Sequence, residues 1–158
     1  MDYKTGDRKG YQKYQVIMKH YVTKLSNRKC FTLSNDDTLK TASEKLQKYN
    51  VGVMPILSEE HNNVIGIISE RDIARYIFKD EFKSDLSVTT IMSKDIISCN
   101  LNTSVTELME TFTKKKIRHI LIIEEKKLSG IVSIGDVVNY IIEQYKEENQ
   151  YLRDYINK

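Results

Sequence analysis

The feature that most constrains this chain is an internal repeat. Displaced by 66 positions, "TLSNDDTLKTASEKLQKYNVGVMPIL" (32 to 57) falls on "SCNLNTSVTELMETFTKKKIRHILII" (98 to 123). The apolar positions coincide, with Leu39, Ala42 and Leu46 on Val105, Leu108 and Phe112. The spacing i, i+3, i+7 predicts an amphipathic helix in each copy. Ser104 with Glu107 reads as a capping box, and Thr38 or Asp37 supplies the first cap. A short β-type run follows each helix, "VGVMPIL" and "IRHILII", and then a turn. The turn "SEEHNN" is two residues longer than "EEKK", so the register becomes 64 by "VIGIIS" (64 to 69) on "LSGIVS" (128 to 133). Ser69 then meets Ser133, Asp72 meets Asp136, and the apolar helices "IARYIF" and "VVNYII" follow. Each copy reads strand, helix, strand, strand, helix. A unit of about 50 residues cannot bury both faces of a small sheet, so the stable object expected is two copies packed together.

With 158 residues and 40% hydrophobic content, the chain has room for such a core. Runs such as "ILII" are far shorter than the roughly 20 apolar residues that a membrane helix needs, so no membrane span is expected. The N-terminus lacks a signal-peptide pattern, and the expected compartment is the cytoplasm. Cys30 and Cys99 fit neither a disulfide framework nor a metal motif, and buried free thiols are expected. His20, His61 and His119 have no ligand spacing, so no metal site is expected. Charge is uneven: residues 1 to 29 hold eight Lys and Arg against Asp2 and Asp7, which leaves that stretch at +6 and the remainder at −3. The basic stretch, with Tyr3, Tyr11, Tyr14 and Tyr21, is either a solvated terminus or an arm for nucleic acid.

In order and in duplicate, "VTTIMSKDIISCNLNTSVTELMETF", "IRHILII", "GIISERDI" and "GIVSIGDV" resemble the cystathionine-β-synthase (CBS) domain family, present as a tandem pair. The resemblance implies an α/β fold of two β-α-β-β-α motifs related by a pseudo-two-fold axis. It divides the chain into a basic arm (1 to 21), a first motif (22 to 79), a second motif (86 to 143) and a C-terminal helical extension (144 to 158). It also implies a non-catalytic sensor of adenosine-containing ligands, with AMP, ADP or ATP as regulatory ligand, no obligatory cofactor, and an effector protein not contained in this chain.

Two readings of "Ser-x-x-Asp" stand together. Before an apolar run it is a helix cap. In the family's pattern, the Ser contacts phosphate or ribose and the Asp grips the ribose hydroxyls, which carries over to Ser69 with Asp72 and to Ser133 with Asp136. An ionised carboxylate, which only accepts, suits a diol that donates. Arg118 and His119 stand where family members carry basic residues that reach phosphate across the cleft, so they are expected to complete the Asp72 site beside Arg71, although His119 also reads as a strand-end imidazole. Gly52 and Val53 take the same positions facing Asp136, and that site is expected to lack a cation. Ile67 and Ile131 sit where the family packs adenine, or in the core.

No catalytic constellation is present in the motifs, so no enzyme activity is expected. The rival reading is a nucleic-acid-binding regulator that uses the basic arm. Tyr140, Ile141, Tyr145, Leu152 and Ile156 read as an apolar stripe running past the repeat, to be covered by "YQVIMKHYV" of the same chain or by a second copy in a two-fold homodimer.

Overall fold

The computed structural model describes residues 21 to 78 and 83 to 156, so most of the basic arm lies outside the described residues. The elements are α1 (Tyr21–Ser26), β1 (Leu33–Ser34), α2 (Leu39–Tyr49), β2 (Val53–Leu57), β3 (Val64–Ser69), α3 (Glu70–Ile77), a 3-10 turn (Val88–Thr90), β4 (Ser98–Cys99), α4 (Val105–Lys115), β5 (His119–Glu124), β6 (Lys127–Ser133) and α5 (Ile134–Ile156). They form two three-stranded sheets, β1-β2-β3 and β4-β5-β6, each with one parallel and one antiparallel pairing. The mixed α/β fold is that expected of the duplicated motif.

The two copies match to the register. Leu33 pairs with Ile56 as Cys99 does with Ile122, and Val53 pairs with Ser69 as His119 does with Ser133. Each antiparallel pair has its irregularity at the same place, Ile56/Leu57 and Ile122/Ile123. The tighter second hairpin is closed by Glu125 and Lys126, both at positive φ (47° and 67°), as a two-residue turn matched to the strand twist demands.

Helix α2 starts on Thr38, whose hydroxyl accepts from the Thr41 N–H, while Asp37 is drawn off to the Ser34 N–H and Lys45. Helix α4 has the full Ser104/Glu107 capping box. Both helices end on a left-handed residue at the same repeat position, Asn50 (φ 50°) and Lys116 (φ 53°). Asn tolerates that conformation, whereas a lysine there is strained by about 1 kcal/mol.

The copies exchange their lead-in segments. Tyr21, Val22 and Leu25 of α1 precede the first motif but are buried in the second core, with Val105, Leu108, Phe112, Ile120 and Ile122. Val88, at the matching position 66 residues on, is buried in the first core with Leu33, Leu39, Met54 and Ile68. The glycines of "GIIS" and "GIVS" mark the crossings. A Cβ on Gly66 would lie 2.5 Å from Met92 Sδ and 3.0 Å from the Ser93 carbonyl, and one on Gly130 would lie 3.2 Å from Ser26 Cα. Neither copy completes its core without the chain that leads into the other, so the pair is one cooperative object.

The expected apolar stripe divides in two. Tyr140 is buried against Tyr21, a residue of the "YQVIMKHYV" segment expected to cover it, with ring centroids 4.2 Å apart, and Ile141 packs on the same core. The apolar residues that α5 leaves exposed are Ile134, Val138, Ile142, Tyr145, Tyr151, Leu152 and Ile156, because a helix of 3.6 residues per turn spends positions 137, 140 and 141 on its own module. One expectation needs correction: Cys30 and Cys99 are free but only half-buried; burial pushes each thiol up to about 11, with Glu124 adding to Cys99.

Candidate functional site

Two clefts lie between the copies, and Val53 and His119, equivalent under the repeat, line both. Each cleft combines a β-strand end, the helix start that follows it, the second strand of the other copy, and one lead-in segment.

The first cleft holds Ile67, Ser69, Arg71 and Asp72 from the first copy and Arg118 and His119 from the second, so the structure brings together six residues the sequence singled out. Serine ends β3 and caps α3. The Ser69 N–H and Oγ–H both donate to Asp72 Oδ2 (2.9 and 2.6 Å), and the Asp72 N–H returns a bond to Ser69 Oγ (3.3 Å). The capping reading therefore holds, but it consumes a single carboxylate oxygen. Among the described residues Asp72 Oδ1 takes no hydrogen bond, which leaves an ionised acceptor at the cleft.

Sequence reasoning missed three further charges in this cleft, Arg75, Asp95 and Lys116. Arg75 lies one helical turn after Arg71, and Lys116 is the left-handed residue that ends α4. Arg71, Arg75, Lys116 and Arg118 form no salt bridge among the described residues, so four cations face one cleft with Asp72 and Asp95 as the only carboxylates lining it. Burial pushes the His119 imidazole below its ordinary value, and the Arg118 charge pushes it further down against a smaller pull from Asp136. His119 is therefore the neutral member of the set at pH 7.

The second cleft holds Ile131, Ser133 and Asp136 against Gly52 and Val53, as the repeat implies. The capping geometry is the same, Ser133 N–H and Oγ–H donating to Asp136 Oδ2 at 2.8 and 2.6 Å. The expectation that this site lacks a cation is wrong. Arg28 Nη2 donates to Asp136 Oδ1 at 2.8 Å, and Lys29 lines the same cleft. Desolvation raises the Asp136 pKa, but bonds from Ser133 and Arg28 together outweigh it and hold the carboxyl below its ordinary value. The cation comes from the lead-in segment rather than from β2. Arg28 and Lys29 stand where the other copy has Lys94 and Asp95. Above the cap, the Tyr21 hydroxyl donates to the Asp136 carbonyl, and its pKa is pushed up to about 12 by burial, with Asp136 adding. Tyr21 is thus a core residue and not a stacking platform for bases.

The clefts differ in one decisive respect. Both oxygens of Asp136 are engaged, whereas Asp72 keeps one open.

The family model of the CBS domain matches residues 22–79 and 88–143. The chain belongs to the CBS domain family, as a tandem pair. The mitochondrial CBS domain-containing protein CBSX3 of Arabidopsis thaliana is 35% identical over 127 residues, which cover 78% of this chain and 62% of that protein. A CBS-domain-containing protein of Agrobacterium tumefaciens has a similar structure at 28% identity and TM-score 0.69, covering 77% of this chain and 96% of that one. A CBS domain protein of Pyrobaculum aerophilum, solved in complex with AMP, shares the fold at 23% identity and TM-score 0.67, over 72% of this chain and 87% of that one. Among the described residues no helix is long and apolar enough to cross a membrane.

Proposed function

We propose that this CBS pair is a non-catalytic regulatory module that binds an adenosine-containing ligand, of the AMP, ADP or ATP class, in the cleft around Asp72. One observation carries the reading: among the described residues, a carboxylate oxygen of Asp72 that takes no hydrogen bond shares a cleft with four cations that form no salt bridge, contributed by both copies. The carboxylate takes the ribose hydroxyls, Arg118 and its neighbours take phosphate, and Ile67 with Ile97 offers an apolar wall for adenine. A related fold solved with AMP supports this class of ligand. So does a CBS domain pair of the same fold, at 21% identity and TM-score 0.70, solved with 5′-methylthioadenosine and S-adenosyl-L-methionine.

A ligand held by residues of both copies stiffens the pair against relative motion, and that is the signal such a module passes to an effector. The second cleft binds more weakly, because a ribose there must compete with Arg28 for Asp136. The module works as a two-fold homodimer that meets through its helices. Titration calorimetry with AMP, ADP, ATP and S-adenosylmethionine tests the reading. One tight site per chain for at least one of these is expected, and failure of all four to bind a folded protein overturns it.

A further inference from the structure

Helix α5 presents a second apolar stripe, and its spacing is that of a coiled-coil seam. Val138, Ile142, Tyr145, Leu152 and Ile156 are all exposed, Ile156 by 79%. Inserting Asn149 gives positions 138, 142, 145, 149, 152 and 156, which alternate by four and three without interruption. In heptad terms 142, 149 and 156 are a positions and 138, 145 and 152 are d positions. Apart from Tyr155, whose side chain is outside the description, every residue from 145 to 156 is exposed. A helical end exposed all round has no tertiary packing to support it and is marginal in water.

We propose that the occupant of this seam is the same helix of a second copy, aligned parallel and in register as a short two-stranded coiled coil. The proposal rests on the two-fold homodimer advanced above and adds the helix, the register and the direction. Asn at a single a position is the device that selects two strands in parallel register, and Asn149 occupies one. The flanking charges select the direction. A parallel pair sets each g residue against the e residue of the next heptad, which places Glu148 opposite the second copy's Arg153, twice by symmetry. Neither forms a salt bridge within the described residues of its own chain. An antiparallel pair that matches all six seam positions instead sets Glu148 against Glu148 and Lys146 against Lys146. The described end of the chain's own N-terminal segment packs elsewhere: the Tyr21 ring lies against Tyr140, which is about 160° around the helix from Val138.

The test uses the full chain carrying Cys30→Ser and Cys99→Ser. With Leu152→Cys on the seam, mild oxidation is expected to give a covalent dimer, whereas Gln150→Cys on the outer face gives none. By sedimentation, Glu148→Lys or Arg153→Glu alone is expected to weaken the dimer about five- to tenfold, and the double swap to restore it. Ile142→Asp with Leu152→Asp, both exposed in the single chain, is expected to leave a folded monomer. Cross-linking of Leu152→Cys only to a second chain carrying Ile142→Cys means an antiparallel pair and overturns the inference. A dimer that survives the double Asp variant overturns it while the homodimer reading stands, and a wild-type monomer at tens of micromolar overturns both. If deleting residues 1–20 exposes 142–156 to hydrogen exchange in a monomer, the chain's own segment covers the seam and the inference is likewise overturned.

Discussion

Replacing Asp72 by Asn separates the two duties of that carboxylate. Its Oδ2 serves the helix cap, accepting from the Ser69 N–H and Oγ–H, and its Oδ1 is the acceptor offered to a ribose. Asp72 is the third helical residue of the capping box, with Ser69 as the cap, and the one carbonyl oxygen of an Asn there can take over Oδ2's bonds. Only the charge at the helix N-terminus is lost, so the fold should weaken by about 0.3–1 kcal/mol. The consequence at the cleft is larger. With the carbonyl turned to the cap, the amide nitrogen faces the ligand, and an ionised acceptor becomes a neutral donor. Hydrogen bonds to charged groups contribute about 1.5–3 kcal/mol and neutral ones about 0.5–1.5, so the difference of roughly 1–1.5 kcal/mol weakens binding about five- to twelvefold per bond. Asp136→Asn is the control, because both Asp136 oxygens are already engaged; it should leave the tight site within about twofold. Calorimetric titration with AMP and ATP reads the affinities, and urea denaturation reads the fold. If Asp72→Asn binds both nucleotides as wild type does, the carboxylate is a cap and nothing more. If Asp136→Asn abolishes binding instead, the assignment of the clefts is inverted.

Three further outcomes follow from the same geometry. The Asp136 pKa is depressed in the fold, so its pairing contributes stability above the unfolded carboxyl value near pH 4 and loses it as pH falls through the lower folded value; Arg28→Ala, at a half-exposed guanidinium, should cost less than about 1 kcal/mol at pH 7 and still less at pH 3, measured by urea denaturation. His119 should titrate by NMR below the ordinary imidazole value, with Arg118→Ala raising its midpoint; because the folded pKa lies below the unfolded one, this group favours the fold above pH 6.5 and disfavours it as pH falls, and a midpoint at or above 6.5 contradicts the account. Lys116→Gly should relieve the left-handed strain and stabilise the fold by about 0.5–1 kcal/mol, yet weaken nucleotide binding by removing a cation from the first cleft, a trade visible in paired denaturation and calorimetry.

Much of this architecture was legible because the repeat is a register device. An offset of 66 that becomes 64 fixes which strand residues correspond, and the structure pairs Val53 with Ser69 and His119 with Ser133 as that offset requires. The offset thus says which residues correspond, whereas the pairing of each helix start with the other copy's second strand was implied by the resemblance to the family. What escaped was the exchange of lead-in segments. Tyr21 read as the end of the basic arm and Val22 to Leu25 as the entry of the first motif, and their apolar spacing is too short to betray a helix buried in the second core. Without that exchange, nothing near Asp136 in the sequence points to Arg28, 108 residues away. The signal was present all the same: Arg28 and Lys29 align with Lys94 and Asp95, and one lead-in segment lines each cleft. Arg75 and Lys116 were hidden differently, since a helix-end lysine and an exposed helical arginine both have solvated explanations until the fold closes around them.

The central claim is that one ligand is gripped by both copies, its ribose by Asp72 of the first and its phosphate by Arg118 of the second. A crystal structure of the chain grown with AMP tests it most directly. The account predicts AMP in the first cleft, a ribose hydroxyl within about 3.2 Å of Asp72 Oδ1 and the phosphate on the Arg118 guanidinium. AMP bound only in the Asp136 cleft, or bound beside Asp72 with its phosphate turned away from Arg118, would contradict it.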